Sequence, residues 1–121
     1  MSTKISSRKA KARRLQQWCR DQILESFPQL EEDDVKSTPM GVSGPDVQLS
    51  PAARKYVDFE IECKAQERVN LFASWDQCEQ NAGDRQPLLV IKRNFNAPLA
   101  VVDAEFLMEL LPIIKRRREE C

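Results

Sequence analysis

Histidine is missing from this 121-residue sequence. Its absence excludes serine or cysteine triads that use a histidine base, zinc sites with histidine ligands, and nucleases that activate water through an imidazole. Any chemistry must therefore be carried out by carboxylates, by lysine and by a bound hard cation.

Other features are also scarce. The four cysteines form no C-x-x-C pair, which excludes a zinc knuckle and a thioredoxin motif, and we expect them to remain reduced. No apolar run reaches the ~20 residues of a membrane span. The basic N-terminus lacks the apolar segment of a secretory signal. These absences predict an intracellular, cytoplasmic protein with no membrane partner.

Charge of either sign is plentiful but segregated. The 19 basic and 19 acidic residues cancel, yet residues 1–20 carry only basic charge, residues 115–118 read Lys-Arg-Arg-Arg, and acid gathers at residues 31–34. A net charge of zero argues against a nonspecific polycation. Segregated charge still allows a local basic surface that binds phosphates.

Hydrophobic periodicity predicts one α/β domain over residues 1–121, with residues 1–7 as a flexible basic tail. Helices are predicted over residues 8–27 and 69–82, and from Asp103 to about Arg117 with a kink or break at Pro112. A short helical turn should begin at Ser50-Pro51. The predicted strands cover residues 35–38, 46–49, 58–64, 88–92 and 99–102. The order α-β-β-β-α-β-β-α indicates a mixed sheet flanked by helices.

One segment alternates without interruption and places polar side chains together. Over residues 58–64, every second side chain is apolar, which predicts a strand with one buried face. Glu62 and Lys64 then project from the opposite face, because residues i and i+2 of a strand share a face.

The chemical motif combines this strand with an upstream acid. Gly44-Pro45-Asp46 is followed, after fifteen residues, by Glu62-Cys63-Lys64. Two carboxylates are the protein ligands that Mg²⁺ typically takes, and the backbone carbonyl of Cys63 can add a third oxygen. A cation held there would activate water without histidine, and Lys64 could orient that water or stabilise charge on a phosphate.

Pro45-Asp46 followed by Glu62-Cys63-Lys64 resembles the signature of the PD-(D/E)xK, or restriction-endonuclease-like, nuclease superfamily. Within it, the pattern is similar to archaeal Holliday junction resolvases and phage resolvase-like endonucleases, and the resemblance extends from about Arg8 to Val102. It implies a restriction-endonuclease-like fold and Mg²⁺-dependent hydrolysis of branched DNA, with Mn²⁺ as a substitute. It also implies a homodimer with two active sites, in a phage-encoded protein with a role in DNA recombination, replication or the processing of host DNA.

The resemblance also implies further site residues. The resolvases carry a glutamate in the first helix, where this chain has Gln16 and Gln17, and either glutamine could orient a water or a hydrated metal. Members of the superfamily often carry a glutamine on the helix that follows the Glu-x-Lys motif, and Gln77 and Gln80 are the candidates for it here. The predicted DNA-binding residues are Arg8, Lys9, Lys11, Arg13, Arg14, Ser43, Gln77, Lys92 and Arg93. Trp18 and Trp75 fall on apolar helix faces and are expected in the core.

Two other functions stay open from the sequence. The first is a nucleic-acid-binding module that uses the same basic segments without catalysis. The second is a nicking or flap nuclease of the same superfamily, because loops rather than metal ligands determine the choice of substrate.

Overall fold

The computed structural model describes residues 2–120, with side chains from residue 7 onward. It is a mixed α/β arrangement in which helices flank two small sheets. The elements are α1 (Ser2–Ser26), β1 (Val35–Ser37), β2 (Val47–Leu49), α2 (Pro51–Arg54), β3 (Phe59–Ala65), α3 (Leu71–Ala82), β4 (Gln86–Lys92), β5 (Leu99–Val101) and α4 (Ala104–Glu120). A 3₁₀ turn, Glu32–Asp34, precedes β1. The predicted order of helices and strands is confirmed.

The two sheets differ in their pairing. Strands β1 and β2 form an antiparallel pair in which Val35 lies opposite Leu49. In the second sheet, β3 pairs in parallel with β4, so that Cys63 lies opposite Val90, and β4 pairs antiparallel with β5. Because β4 occupies one edge of β3, the other edge is available to the loop that precedes β2.

The main core lies where α1 packs against both sheets. Among the residues of α1 whose side chains are described, Leu15 is the first to be buried, and the helix contacts both β1 and β3. The alternation predicted for β3 is confirmed, because Ile61 and Cys63 are buried. The buried cluster comprises Leu15, Cys19, Leu30, Val35, Val47, Ala53, Ile61, Cys63 and Val90.

Local sequence signals set several element ends. The Ser50 hydroxyl accepts a hydrogen bond from the backbone N–H of Ala53 at 3.1 Å, and Pro51 occupies the first helical position of α2, as predicted. Gly83 follows α3 with φ +59°, a backbone conformation that favours glycine. Asp103 caps α4 by accepting the N–H of Phe106 at 3.0 Å.

Other details differ from the sequence-based predictions. Helix α1 begins at Ser2 rather than at residue 8, so residues 2–7 continue the helix; Met1 lies outside the described residues. Helix α4 runs unbroken through Pro112 to Glu120. Phe72 is 78% exposed, because it lies about 100° around α3 from the face that buries Cys78 and Ala82.

Candidate active site

Asp46 is fixed to the open edge of β3. The backbone N–H of Cys63 donates a 2.7 Å hydrogen bond to Asp46 Oδ2. On the other side, the backbone N–H of buried Thr38 donates to the Asp46 carbonyl at 2.9 Å, and the Thr38 hydroxyl donates to the Pro45 carbonyl. Gly44 has φ +123° and allows the chain to turn back into this position. The two halves of the motif, sixteen positions apart, are therefore joined directly.

Glu62 lies beside Asp46 and is strongly affected by it. Burial of the Glu62 carboxyl, together with the charge and hydrogen bonding of Asp46, raises the pKa of Glu62 to about 7. Asn81 Nδ2 donates a 3.1 Å hydrogen bond to Glu62 Oε1 and partly opposes this effect. The neighbouring carboxylate thus favours the protonated form of Glu62, and a cation bound there would oppose this effect.

The carbonyl of Cys63 faces the same edge as Asp46. In an extended strand, the N–H and C=O of one residue point to the same side, and the N–H of Cys63 points to Asp46. Lys64 lies two residues after Glu62 on the same strand face, and both side chains line one cleft. The structure thus brings together all three residues of the predicted catalytic core.

The structure also distinguishes between the two glutamines of α1. Gln16 is only 4% exposed, lines the cleft with Asp46 and Glu62, and has no hydrogen-bond partner for its Oε1 among the described residues. Gln17 is exposed and lies outside the cleft lining. An unpartnered amide oxygen in a buried position is energetically unfavourable and marks a place for a donor or a cation.

These groups form an oxygen-rich donor set. Within residues 2–120 no group of three Asp, Glu, Cys or His side chains could hold a metal ion. The set instead comprises two carboxylates and the Cys63 carbonyl, and the Gln16 amide oxygen lies in the lining of the same cleft. This set fits Mg²⁺, which takes one or two carboxylates and keeps several waters, better than it fits zinc.

The cleft around these residues has a volume of about 1350 Å³ and basic side chains on two walls. One wall is the exposed first half of α1, and the other is the segment where β4 ends. The predicted DNA-binding residues that line it are Arg8, Lys9, Lys11, Arg14, Gln77, Lys92 and Arg93. Arg13 and Ser43 are exposed but lie outside the lining, as does Gln80.

Several cleft residues were not predicted as part of the site, and three of them matter to its geometry. Asn81 contacts Glu62 from α3, and Thr38 anchors Asp46. Trp18 was expected in the core but is 43% exposed and lines the cleft, because it lies about 100° around α1 from the buried face. The sequence carried a signal only for Thr38, because Ser37-Thr38 precedes Asp46 by a few residues, as a serine does in the resolvases that the motif resembles.

Two thiols lie behind the site. Cys19 of α1 and Cys63 of β3 are both buried, with their Sγ atoms 3.7 Å apart. The hydrogen bond with Cys19, together with burial, raises the pKa of Cys63, so this thiol stays protonated and unreactive. The contact fixes α1, and with it Gln16, against the strand that carries Glu62.

Comparisons with protein-family models, with curated proteins and with solved structures found no match to this chain. Within the described residues, no helix has the length and apolar character needed to cross a membrane.

Proposed function

We propose that this protein is a metal-dependent DNA endonuclease of the PD-(D/E)xK superfamily. The observation that carries the proposal is the hydrogen bond from the Cys63 backbone to Asp46, which places both motif carboxylates together in a basic cleft. The parallel β3–β4 pair joined through α3, together with the preceding β1–β2 pair, supports a restriction-endonuclease-like fold.

Each residue of the site has a role in this reaction. Asp46, Glu62 and the Cys63 carbonyl would hold the divalent cation, and Asn81 fixes the Glu62 carboxylate by its hydrogen bond. Bound there, Mg²⁺ would supply a nucleophile by lowering the pKa of water and would polarise the phosphate. Lys64 stabilises the negative charge that develops on the phosphate. Gln16 Oε1 accepts a hydrogen bond from the attacking water and so orients it.

The substrate follows from the two basic walls. Lys and Arg side chains contact phosphates without regard to sequence, and here they flank the carboxylates on both sides. Such an arrangement suits DNA whose backbone enters the cleft from two directions. We therefore favour branched DNA such as a four-way junction, with a nicking or flap nuclease as the alternative specificity.

The test uses purified protein with a labelled four-way junction, a flap and a linear duplex, each in Mg²⁺, Mn²⁺ or EDTA. Asp46→Asn and Glu62→Gln should lower cleavage by at least about 100-fold, because each removes a ligand charge. Glu60→Gln is the matched control, since Glu60 lies on the same strand but pairs with Arg85 outside the cleft. It should retain activity.

The outcomes separate the candidate functions. Paired cuts on the junction that require metal and both carboxylates would support the resolvase branch. Metal-dependent cuts on the flap or the duplex alone would support a nuclease of another specificity and would reject the resolvase assignment. Folded protein that binds DNA but cleaves nothing in either metal would leave the non-catalytic binding module.

A further inference from the structure

Helix α4 is largely uncovered. None of its 17 residues is buried, and its attachment to the body includes an edge-to-face contact between Phe106 and Phe59, with ring centroids 5.4 Å apart. An interior proline, Pro112, weakens the helix on its own, and most helices gain stability by burying an apolar face.

The uncovered surface contains a regular apolar stripe. Leu107, Leu111 and Ile114 follow one another at spacings of four and three residues, and each is between 40 and 48% exposed. This spacing places the three side chains on one line along the helix, as in the seam of a coiled coil. Contiguous exposed apolar surface of this kind marks an interaction site.

The charges of α4 favour a second copy of the same helix. Between residues 104 and 120 there are four acidic and four basic residues, so the helix is neutral overall. Acid lies in its first half, at Asp103, Glu105 and Glu109, whereas residues 115–118 are all basic and outnumber the two acids, Glu119 and Glu120, that follow them. An antiparallel copy brings each acidic start to the basic segment of the other helix; a parallel copy would place like charges together.

We infer that two copies of this chain associate through α4, antiparallel and around a two-fold axis near Leu111. A closed two-fold pair buries the same stripe on both chains, and Leu107 then lies against the partner's Ile114. A nucleic acid would match the basic end of the helix but not its apolar stripe. The inference does not depend on the proposed nuclease activity.

Sedimentation equilibrium of the full chain, up to about 100 µM, tests the association. The wild type should reach twice the 14.0 kDa mass of one chain. Leu111→Glu should weaken the dimer by at least about 30-fold, because it places a charge at the centre of the seam. The variant should fold normally, as judged by circular dichroism, since Leu111 is not buried.

The matched control is Phe72→Glu, which introduces the same charge at an exposed apolar residue on α3. It should leave the dimer intact. A monomeric wild type, or a dimer that survives Leu111→Glu but not Phe72→Glu, would overturn the inference.

Cross-linking tests the orientation in a Cys121→Ser background. An equimolar mixture of Leu107→Cys and Ile114→Cys chains, oxidised mildly, should form the mixed disulfide dimer. Leu107→Cys alone should cross-link poorly, because the antiparallel pair separates the two copies of residue 107. Efficient cross-linking of Leu107→Cys alone, with none in the mixture, would show a parallel pair and overturn the proposed geometry.

Discussion

Glu62→Gln should make the metal-free protein more stable at pH 8. In the folded chain, burial and the neighbouring Asp46 raise the pKa of Glu62 from 4.5 to about 7. Between these two values the folded state binds more protons than the unfolded state, so stability falls as pH rises and the full penalty is present above pH 7. Glutamine remains neutral and escapes this penalty.

The magnitude follows from the pKa difference. A rise from 4.5 to about 7 corresponds to about 3 kcal/mol at ~1.4 kcal/mol for each pKa unit. Because Glu62 is only half-buried, solvent screening lowers this to about 2 kcal/mol. For a chain of this size, that free energy corresponds to a rise in Tm of about 8 °C. The hydrogen bond from Asn81 to Oε1 can persist, because glutamine keeps an oxygen acceptor there.

Thermal and urea unfolding in EDTA would measure this effect. The free energy of unfolding of Glu62→Gln should exceed that of the wild type by about 2 kcal/mol at pH 8, and this difference should shrink to less than half by pH 5. Glu60→Gln should show no comparable gain, since Glu60 is paired with Arg85. If Glu62→Gln were no more stable than the wild type at pH 8, the raised pKa of Glu62, and the burial beside Asp46 that causes it, would be refuted.

Three further predictions follow from the same geometry. Mg²⁺ affinity measured by calorimetry should rise between pH 6 and 8, because Glu62 must lose its proton to bind; a flat profile would contradict this. Arg14→Ala should weaken binding to junction and duplex DNA in EDTA and should lower, by about 1, the slope of log binding constant against log salt concentration. Arg13 lies outside the cleft, so Arg13→Ala should change neither the affinity nor this slope. Fluorescence anisotropy at several salt concentrations measures both quantities, and equal effects of the two substitutions would show that the cleft is not the DNA site. Leu15→Ala should cost about 3 kcal/mol of unfolding free energy in urea, because Leu15 is fully buried in the core; a loss below ~1 kcal/mol would contradict that packing.

Local patterns made much of the fold predictable. The alternation of residues 58–64 identified β3 and its buried face, because side chains of a strand point to opposite sides in turn. Ser50-Pro51 identified the start of α2, because capping depends on residues only three positions apart. The pairing of Asp46 with Glu62 was predicted from the motif as a whole, and the structure brings these residues together at β3.

Contacts between elements were less predictable. Gln16 and Gln17 are chemically identical in sequence, and only the rotation of α1 about its axis determines which one is buried. The same rotation exposes Trp18 to the cleft. Asn81 reaches Glu62 from α3, nineteen positions away, and its spacing carries no recognisable pattern. Such contacts depend on how the helices pack and rotate against the sheet, and no local sequence pattern specifies that packing.

The neutral Gln16 bears on how many cations the proposed metal site would bind. A third carboxylate at this buried position would add negative charge beside Asp46, whose charge already raises the pKa of Glu62. Gln16→Glu should therefore destabilise the metal-free protein at pH 8, by about 1–3 kcal/mol in urea unfolding, and should tighten Mg²⁺ binding. Calorimetry should give one Mg²⁺ per wild-type chain, because two carboxylates neutralise one divalent cation. If Gln16→Glu altered neither stability nor Mg²⁺ affinity, Gln16 would not face the carboxylates, and its role in orienting water would fail with it.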